Sequence, residues 1–255
     1  ENGRQLTISS VKFSNFRQQF QSLISVDGTV TLTAVDFTNI QTSQNAAIAC
    51  DCKVQDKSLC KFTYSSGTVS LLNNGYEYRS DLSQPGFLSV KKFYSVSISS
   101  LVFLRNIVFK STALSDSLIY IAATTRTIVF TNMEFDTNIS SSALLALDFS
   151  ELSYSEVDKD SQGYSIQHTQ THVQISGLVI KNNSCNSAVV IYQLSQSINA
   201  SVSINAENNF IYDSVLKLSK TEKLTDADKY GGTFTYMEGQ DKASAKTKPY
   251  SIVVS

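Results

Sequence analysis

The chain contains no Trp, only 2 Pro and 2 His among its 255 residues, and its formal net charge is −1. This near-balance of charge argues against a basic surface for nucleic acid or for an anionic membrane. The scarcity of Pro is typical of a chain whose strands need hydrogen bonds on both sides. No run approaches the roughly 18 apolar residues of a transmembrane helix. The absence of Trp removes the preferred platform for sugars and leaves the 12 Tyr for that role.

A module recurs about every 24 residues along the chain. It consists of an alternating strand that ends in an aromatic residue and a polar turn, followed about ten residues later by a short apolar strand. Phe13 and Phe37 are 24 positions apart, as are Asp27 and Asp51. A fixed period in this range is typical of a solenoid. Later copies of the aromatic position are Phe109, Phe135 and Ile180.

The segments have the composition of strands rather than helices. Stretches such as 6–9, 30–33 and 96–99 alternate with period two and are rich in β-branched residues. Antiparallel meanders and sandwiches also contain many short strands, but they lack a repeat of constant phase. The sequence therefore predicts a single all-β domain over 1–255, a parallel β-helix of about eight to ten coils with about 24 residues each. Phe13 is expected to lie over Phe37, with the later aromatic positions in the same column.

Turn asparagines accompany the aromatic columns. Asn15 and Asn39 are one coil apart, and Asn106 and Asn132 are one coil apart within two positions. Together with the alternating strands, they make the chain resemble the right-handed parallel β-helices of the pectin-lyase-like superfamily, in which stacked turn amides bond one another. The Ser- and Asn-rich style is similar to that of long repeat-built surface proteins of single-celled eukaryotes. The resemblance implies the fold more strongly than any activity.

Two segments interrupt the repeat. The gap of 45 residues from Phe135 to Ile180 predicts one coil that carries an inserted loop at 150–163. The charged stretch from Leu216 to Tyr230 is compatible with a loop or a short helix, and a loop is favoured. The residues for which a loop and a short helix are both possible are 219–232.

The candidates for catalysis are Asp27 and Asp51, which one-coil stacking places about 5 Å apart. This separation is near that of the carboxylate pair of a retaining glycosidase. Asp at the end of a strand is also a common turn former, and weak calcium binding is a third alternative. The turn role is favoured. The Asn-Thr-Asp, Asp-Asp, Gly-His-Gly and Arg-Ile-Lys strings of polygalacturonase-type members of the superfamily do not occur. We therefore expect a non-enzymatic protein without catalytic residues, cofactor or metal.

The two histidines do not predict a metal site. His168 and His172 lie on a segment that alternates like a strand, where four residues span about 13 Å. Two imidazoles at that separation cannot hold one ion through bonds of about 2 Å. The acidic residues Glu156, Asp158 and Asp160 lack the glycine and the final glutamate of an EF-hand, so we expect a solvated loop.

The four cysteines indicate an oxidising compartment. Cys50, Cys52 and Cys60 lie within eleven residues, and Cys185 is far from them. This spacing is a poor match to a zinc site and favours a disulfide from Cys60 to either Cys50 or Cys52. The remaining near cysteine and Cys185 are then free, paired with each other, or linked to another chain.

Three sequons for N-linked glycans support an extracellular or cell-surface location. They begin at Asn138, Asn182 and Asn199, where turns are expected to be exposed. Neither end of the strand pattern offers an obvious polar cap, which solenoids need. We therefore expect these residues to be a segment of a longer chain, whose open ends stack on adjoining domains or on other copies.

The predicted function is that of a structural or adhesive module in a surface or fibre-forming glycoprotein. The alternative is a carbohydrate-active enzyme or a polysaccharide-binding β-helix. This alternative requires a lengthwise groove that contains clustered carboxylates together with basic or aromatic side chains.

Overall fold

The computed structural model describes residues 4–18, 21–42, 45–54, 56–74, 86–108, 114–124, 126–148, 157–159, 165–167, 171–185, 190–194, 198–207, 210–211, 216–220 and 248–254. Over these residues the chain is all-β, with parallel strands arranged in sheets. The helical elements within this part are two short 3₁₀ turns, Lys57–Leu59 and Leu114–Asp116. Neither of them has the length or the apolar character needed to cross a bilayer.

Most strands are short, and the longest contain 15 residues. In chain order they are β1 (Arg4–Gln18), β2 (Ile24–Val26), β3 (Gly28–Thr42), β4 (Ile48–Asp51), β5 (Lys61–Ser70), β6 (Asn73–Asn74), β7 (Leu88–Lys91), β8 (Ser95–Leu104), β9 (Ile107–Val108), β10 (Ile119–Ala122), β11 (Thr127–Thr131), β12 (Glu134–Asp136), β13 (Ile139–Ser140), β14 (Leu145–Asp148), β15 (Val157–Lys159), β16 (Ser165–Gln167), β17 (Thr171–Lys181), β18 (Ser184–Cys185), β19 (Val190–Leu194), β20 (Ile198–Glu207), β21 (Phe210–Ile211), β22 (Leu216–Lys220) and β23 (Lys248–Val254).

These strands form two large sheets and one hairpin. The larger sheet has 14 strands in the order β21-β18-β13-β9-β6-β3-β5-β8-β11-β17-β20-β23, with β1 paired to β3 and β12 paired to β8 and β17. The smaller sheet has 7 strands in the order β2-β4-β7-β10-β14-β19-β22. In the described part of these two sheets, neighbouring strands pair in parallel, except that β23 pairs in antiparallel fashion with β20. Strands β15 and β16 form an antiparallel pair by themselves.

Equivalent strands of successive modules lie in phase. Phe13 pairs with Phe37 across β1 and β3, and their rings stack with centroids 5.0 Å apart. The predicted stacking of Phe13 on Phe37 is therefore confirmed. The placement of Phe109 in the same column was wrong, because Phe103 is the register partner of Phe135. Phe109 itself lies outside the described residues.

The spacing between register partners varies along the chain. It is 24 residues from Phe13 to Phe37, 32 from Phe37 to Val69, and 45 from Phe135 to Ile180. The predicted coil length of about 24 residues therefore holds for the first two modules and was wrong for the next one, whereas the spacing of 45 residues was predicted as one coil with an inserted loop. The smaller sheet contains seven strands in the described residues, rather than the eight to ten expected from that period. Ladder hydrogen bonds hold the strands in phase, whereas the connecting loops are free to change length.

The core lies between the two sheets. Buried and partly exposed residues alternate along much of β3, as expected for a strand with one face on the core. Phe103 and Phe135 stack with centroids 4.8 Å apart, and Phe37 meets Phe87 edge-on at 5.1 Å. Because Phe87 directly precedes β7, this contact joins the larger sheet to the smaller one. Such an aromatic pair contributes about 0.5–1.5 kcal/mol beyond its buried area.

Non-glycine residues in the left-handed backbone conformation mark the bends of the long strands. Asn15 and Asn39 have φ angles of 59° and 54°, and Leu71 and Arg105 continue the same column at 55° and 53°. Asn tolerates this conformation through local hydrogen bonds, whereas it costs most other residues about 1–2 kcal/mol. The bends therefore favour Asn, and Leu71 is the least suited of these four residues.

Two asparagine ladders run along the larger sheet. At the surface, Asn39 Nδ2 donates to Asn15 Oδ1 at 2.7 Å, so the predicted pairing of these two turn amides is confirmed. In the interior, Asn106 Nδ2 donates to Asn138 Oδ1 at 2.9 Å, and Asn138 Nδ2 donates to Asn183 Oδ1 at 2.9 Å.

The predicted pairing of Asn106 with Asn132 was wrong. Asn132 lies at a bend with φ of 52°, and its backbone N–H donates to the Ser176 carbonyl at 2.9 Å. The prediction relied on the phase of Phe109, which the structure does not support. The register of Phe103 with Phe135 is 32 residues, and the same offset brings Asn106 to Asn138.

The two ends of the larger sheet differ. Strand β1 pairs with β3, and its other edge has no strand partner among the described residues. At the opposite end, β23 pairs in antiparallel fashion along β20. The expectation that both ends lack a covering strand was therefore wrong for the β20 end.

The two interruptions of the repeat are described in part. Of the predicted insertion at 150–163, the structure describes 157–159, which is β15. The pairing of Phe135 with Ile180 passes over this insertion in a single module. Strand β22 covers the first residues of the charged stretch that begins at Leu216, where a loop was favoured. Residues 221–232 lie outside the described part of the chain, so the prediction of a loop or short helix there stays a prediction.

Candidate functional site

Charged side chains collect at the ends of the short strands of the smaller sheet. Val26 pairs with Cys50, so Asp27 and Asp51 occupy equivalent positions after β2 and at the end of β4. Asp51 pairs in turn with Lys91 at the end of β7. Because neighbouring strands in a sheet are about 4.8 Å apart, the two carboxylates and the lysine form a row along the edge of the sheet.

The row borders a cavity of about 340 Å³. Small side chains on the outer face of the sheet, Ser25, Ala49 and Ser89, leave room for it, since they occupy one column across β2, β4 and β7. We call this cavity the strand-end cleft. Its polar and charged lining in the described residues consists of Ser25, Asp27, Asn45, Asp51, Lys53, Ser89 and Lys91.

The two carboxylates of the cleft differ in their hydrogen bonds. Asp27 Oδ1 accepts the backbone N–H of Lys53 at 2.7 Å, which is the turn-forming role expected of an Asp after a strand. Asp51 Oδ1 is shielded from solvent and accepts no hydrogen bond from any residue that the structure describes. The environment thus leaves Asp51, rather than Asp27, with unused acceptor capacity.

The lysine of the row has an aromatic neighbour. Lys91 Nζ lies over the ring of Tyr120, 5.5 Å from its centroid, which is the geometry of a cation–π contact. The Tyr120 hydroxyl donates to Asp148 Oδ2 at 2.8 Å. Asp148 belongs to the same edge of the sheet, because it pairs with Ala122, the partner of Lys91. This contact holds the lysine stem beside the cleft.

The disulfide fixes the loop that carries Lys53. Cys52 and Cys60 are bonded, which selects one of the two pairings that the sequence left open. Cys50 and Cys185 are free and buried, so they do not form the long-range pair that the sequence left open. Burial raises the pKa of both thiols to about 12, so both stay protonated and unreactive at neutral pH.

The catalytic and metal-binding alternatives for Asp27 and Asp51, which the sequence did not favour, gain no support from this geometry. Asp27 and Asp51 are brought together at one cleft, as their spacing predicted. In the part of the chain that the structure describes, no group of three or more His, Cys, Asp or Glu side chains could hold a metal ion. His172 is exposed on β17, and His168 lies outside the described residues.

The three glycosylation candidates have different environments. Asn138 is 1% exposed, and its Nδ2 donates to Phe103 O and to Asn183 Oδ1. The expectation of an exposed turn at Asn138 was therefore wrong, because its amide belongs to the interior ladder. Asn182 is exposed, and its Nδ2 donates to Asp136 Oδ1 at 3.0 Å, a bond that lowers the pKa of that carboxyl.

The side chain of the third candidate, Asn199, lies outside the described part of the structure, and its backbone belongs to β20. Of the two sequon asparagines whose side chains the structure describes, Asn138 is buried and Asn182 is exposed.

Comparison with protein families, curated proteins and solved structures found no match to this chain. The residues and their geometry therefore carry the functional argument.

The sequence indicated only part of the cleft. Lys91 follows Asp51 by 40 residues, and Tyr120 follows Lys91 by 29, so neither spacing resembles the 24-residue repeat. Only the register of the smaller sheet brings these residues together. A signal existed in the sequence for Asp148, which ends a short apolar strand at the same position of its module as Asp51.

Proposed function

We propose that the chain is a right-handed parallel β-helix of the pectin-lyase-like type and acts as a non-enzymatic structural or adhesive module of an extracellular glycoprotein. The in-phase pairing of Phe13 with Phe37 and the two asparagine ladders support this arrangement. A stack in which each strand bonds to both neighbours provides rigid length.

One observation carries the functional part of the proposal, namely the free edge of β1. This strand has 15 residues, and the described residues provide a strand partner on one side only. Val11 and Phe16 are 38% and 41% exposed, while Phe13 is only partly buried against Phe37. A long edge strand beside exposed apolar side chains readily accepts another strand.

The charge of β1 favours an adjoining β-helix domain over a second copy of the chain. Its charged residues are Arg4, Lys12 and Arg17, and it has no Asp or Glu. On the inner side, Lys12 has Asp36 as its register neighbour. Two copies paired through β1 place like charges in cross-strand proximity, which is destabilising. A strand that carries acids at these positions is therefore the better partner.

The β20 end restricts how far identical copies can assemble. Because β23 occupies the edge of β20, head-to-tail addition at that end requires the displacement of β23. A fibre is therefore built more readily from successive domains than from separate copies.

The extracellular location rests on two observations. The Cys52–Cys60 disulfide suits an oxidising compartment. The exposed side chain of Asn182 offers one glycan site that leaves the core intact. For the carbohydrate-related alternative, the strand-end cleft supplies carboxylates and lysines, but its described lining contains no aromatic side chain.

The proposal is tested by supplying a strand to the free edge. A peptide with the sequence of β3 presents Asp36 and Phe37 in the register that β1 already accepts on its other side. We expect hydrogen exchange of the backbone amides in 4–18 to slow when this peptide is added to the full chain. A peptide carrying Asp36→Lys and Phe37→Asp is the matched control and should give no protection.

A variant pair locates the effect at the edge. Phe16→Lys should abolish protection by the peptide, whereas Leu59→Lys, at a position that is also exposed, should leave it unchanged. The proposal fails if the β1 amides that do not donate to β3 are already protected in the free monomer, or if the β3 peptide does not slow their exchange. Dimerisation through β1 without the peptide would identify a second copy as the partner instead.

A further inference from the structure

The strand-end cleft presents groups of both charges that do not satisfy one another. Asp51 and Lys91 are register neighbours, yet Lys91 Nζ lies over the Tyr120 ring and Asp51 Oδ1 has no hydrogen-bond donor among the described residues. A buried carboxylate oxygen without a donor has lost its hydration without compensation. Asp51 therefore keeps hydrogen-bonding capacity that no residue in the described part of the chain uses.

The charges of the cleft balance. Asp27 and Asp51 supply two negative groups, while Lys53 and Lys91 supply two positive groups. A ligand with a single charge is attracted by one pair and repelled by the other. A ligand that carries both charges forms charge-assisted hydrogen bonds with both pairs.

The other ligand classes fit less well. The described lining has no aromatic face on which a sugar ring could stack. Among the described residues, no group of three or more His, Cys, Asp or Glu side chains could hold a metal ion. The volume of about 340 Å³ lies near the lower end of the range for small-molecule sites. These properties favour one small polar molecule over a polymer.

We infer that the strand-end cleft binds a small zwitterion of the α-amino-acid type. Its ammonium group lies on the Asp27 and Asp51 carboxylates, and its carboxylate lies on Lys53 and Lys91. Rotation about χ2 of an aspartate is soft, so the Asp51 carboxylate can reorient toward the ligand without a change in the backbone. Val26, Ala46 and Ala49 provide the apolar part of the lining for the side chain of the ligand.

Calorimetric titration of the full chain measures this binding directly. The probes are L-alanine and L-glutamine as free amino acids and glycylglycine as a short peptide. N-acetyl-L-alanine and L-alanine methyl ester are the matched controls, because each lacks one of the two charges. We expect at least one zwitterion to bind, and we expect each blocked analogue to bind at least about tenfold more weakly than L-alanine, since it loses charge-assisted bonds. The dipeptide distinguishes a peptide site from a site for free amino acids.

Two variants assign the binding to the cleft. Asp51→Asn and Lys91→Gln should each weaken the binding about 10- to 100-fold, while Glu134→Gln, at a surface ion pair with Lys181, should leave it unchanged. Circular dichroism verifies that each variant is folded. If Asp51→Asn does not fold, Lys91→Gln decides the question.

Three results would overturn the inference. They are the absence of binding by all three zwitterions at millimolar concentration, equal binding of the blocked analogues, and binding of D-galacturonate in place of the amino acids.

Discussion

The two asparagine ladders have the same chemistry and opposite environments. The surface ladder joins Asn15 to Asn39 through one bond of 2.7 Å between exposed amides. The interior ladder joins Asn106, Asn138 and Asn183, which are all at most 1% exposed. Water can replace the bond at the surface, whereas the interior amides are shielded from solvent. The comparison shows that burial, rather than the side-chain amide itself, decides what an asparagine contributes to the stack.

Asn138, in the middle of the interior ladder, forms hydrogen bonds through both its side-chain oxygen and its side-chain nitrogen. Asn138 Oδ1 accepts the backbone N–H and the Nδ2 of Asn106, and Asn138 Nδ2 donates to Phe103 O and to Asn183 Oδ1. Each buried polar group that loses its partner costs about 1–3 kcal/mol. The ladder therefore stabilises the sheet mainly because each deletion leaves several groups unpaired.

Asn138→Ala should give the largest loss of stability of the substitutions considered. It leaves the Asn106 N–H and the Phe103 carbonyl without their partners, so we expect the free energy of unfolding to fall by about 4–5 kcal/mol. Chemical denaturation with urea measures this change. Asn39→Ala at the surface ladder is the comparison and should cost only about 1–2 kcal/mol, mainly because Ala is less suited than Asn to the left-handed bend at this position. Equal losses for the two variants would contradict the comparison.

The same contrast between interior and edge applies to the aromatic column. Phe103 is fully buried between Phe87 and Phe135, whereas Phe13 stacks on Phe37 from one side and is partly exposed. We expect Phe103→Ala to cost about 4 kcal/mol and Phe13→Ala about half as much. Urea denaturation of both variants provides the test. A larger loss at Phe13 would mean that the β1 face is already covered in solution.

The cysteines give a further contrast, between a bonded pair and a free buried thiol. Cys52 and Cys60 are separated by 8 residues, so loss of the bond should lower the free energy of unfolding by about 2.5 kcal/mol in the chain-entropy view. Cys52→Ser measures the effect by urea denaturation. Cys185→Ser, at a buried free thiol, separates the loss of the bond from the loss of a thiol. If the two variants lose the same stability, the bond contributes nothing beyond packing.

Much of the local pairing could be predicted from the sequence, because the first two modules have identical spacing. Phe13 over Phe37 and Asn15 beside Asn39 follow from an offset of 24 residues, and the structure has both. Later loops change length, and a short apolar strand gives no signal that fixes its phase. The sequence therefore misplaced Phe109 in the aromatic column.

The cleft shows why a site is harder to predict than a strand. Asp27 and Asp51 follow from the repeat, whereas Lys91 reaches them only through the register of the smaller sheet. Asn138 was misassigned as a glycan site, because the sequon motif does not report burial. In both cases the missing information is which residues of distant modules lie side by side.

Leu71→Asn should give a small gain in stability and extend the surface ladder. Leu71 has φ of 55°, is 50% exposed, and follows Asn39 in the column of bends. Asn adopts this backbone conformation at lower cost than Leu, and its amide can donate to Asn39 Oδ1, so we expect a gain of about 1 kcal/mol. Leu71→Ala is the control, because it removes the exposed side chain without the preference of Asn for the bend. A thermal midpoint that rises for Leu71→Asn but not for Leu71→Ala would show that the bend geometry decides the effect. Equal midpoints for the two variants would refute the prediction.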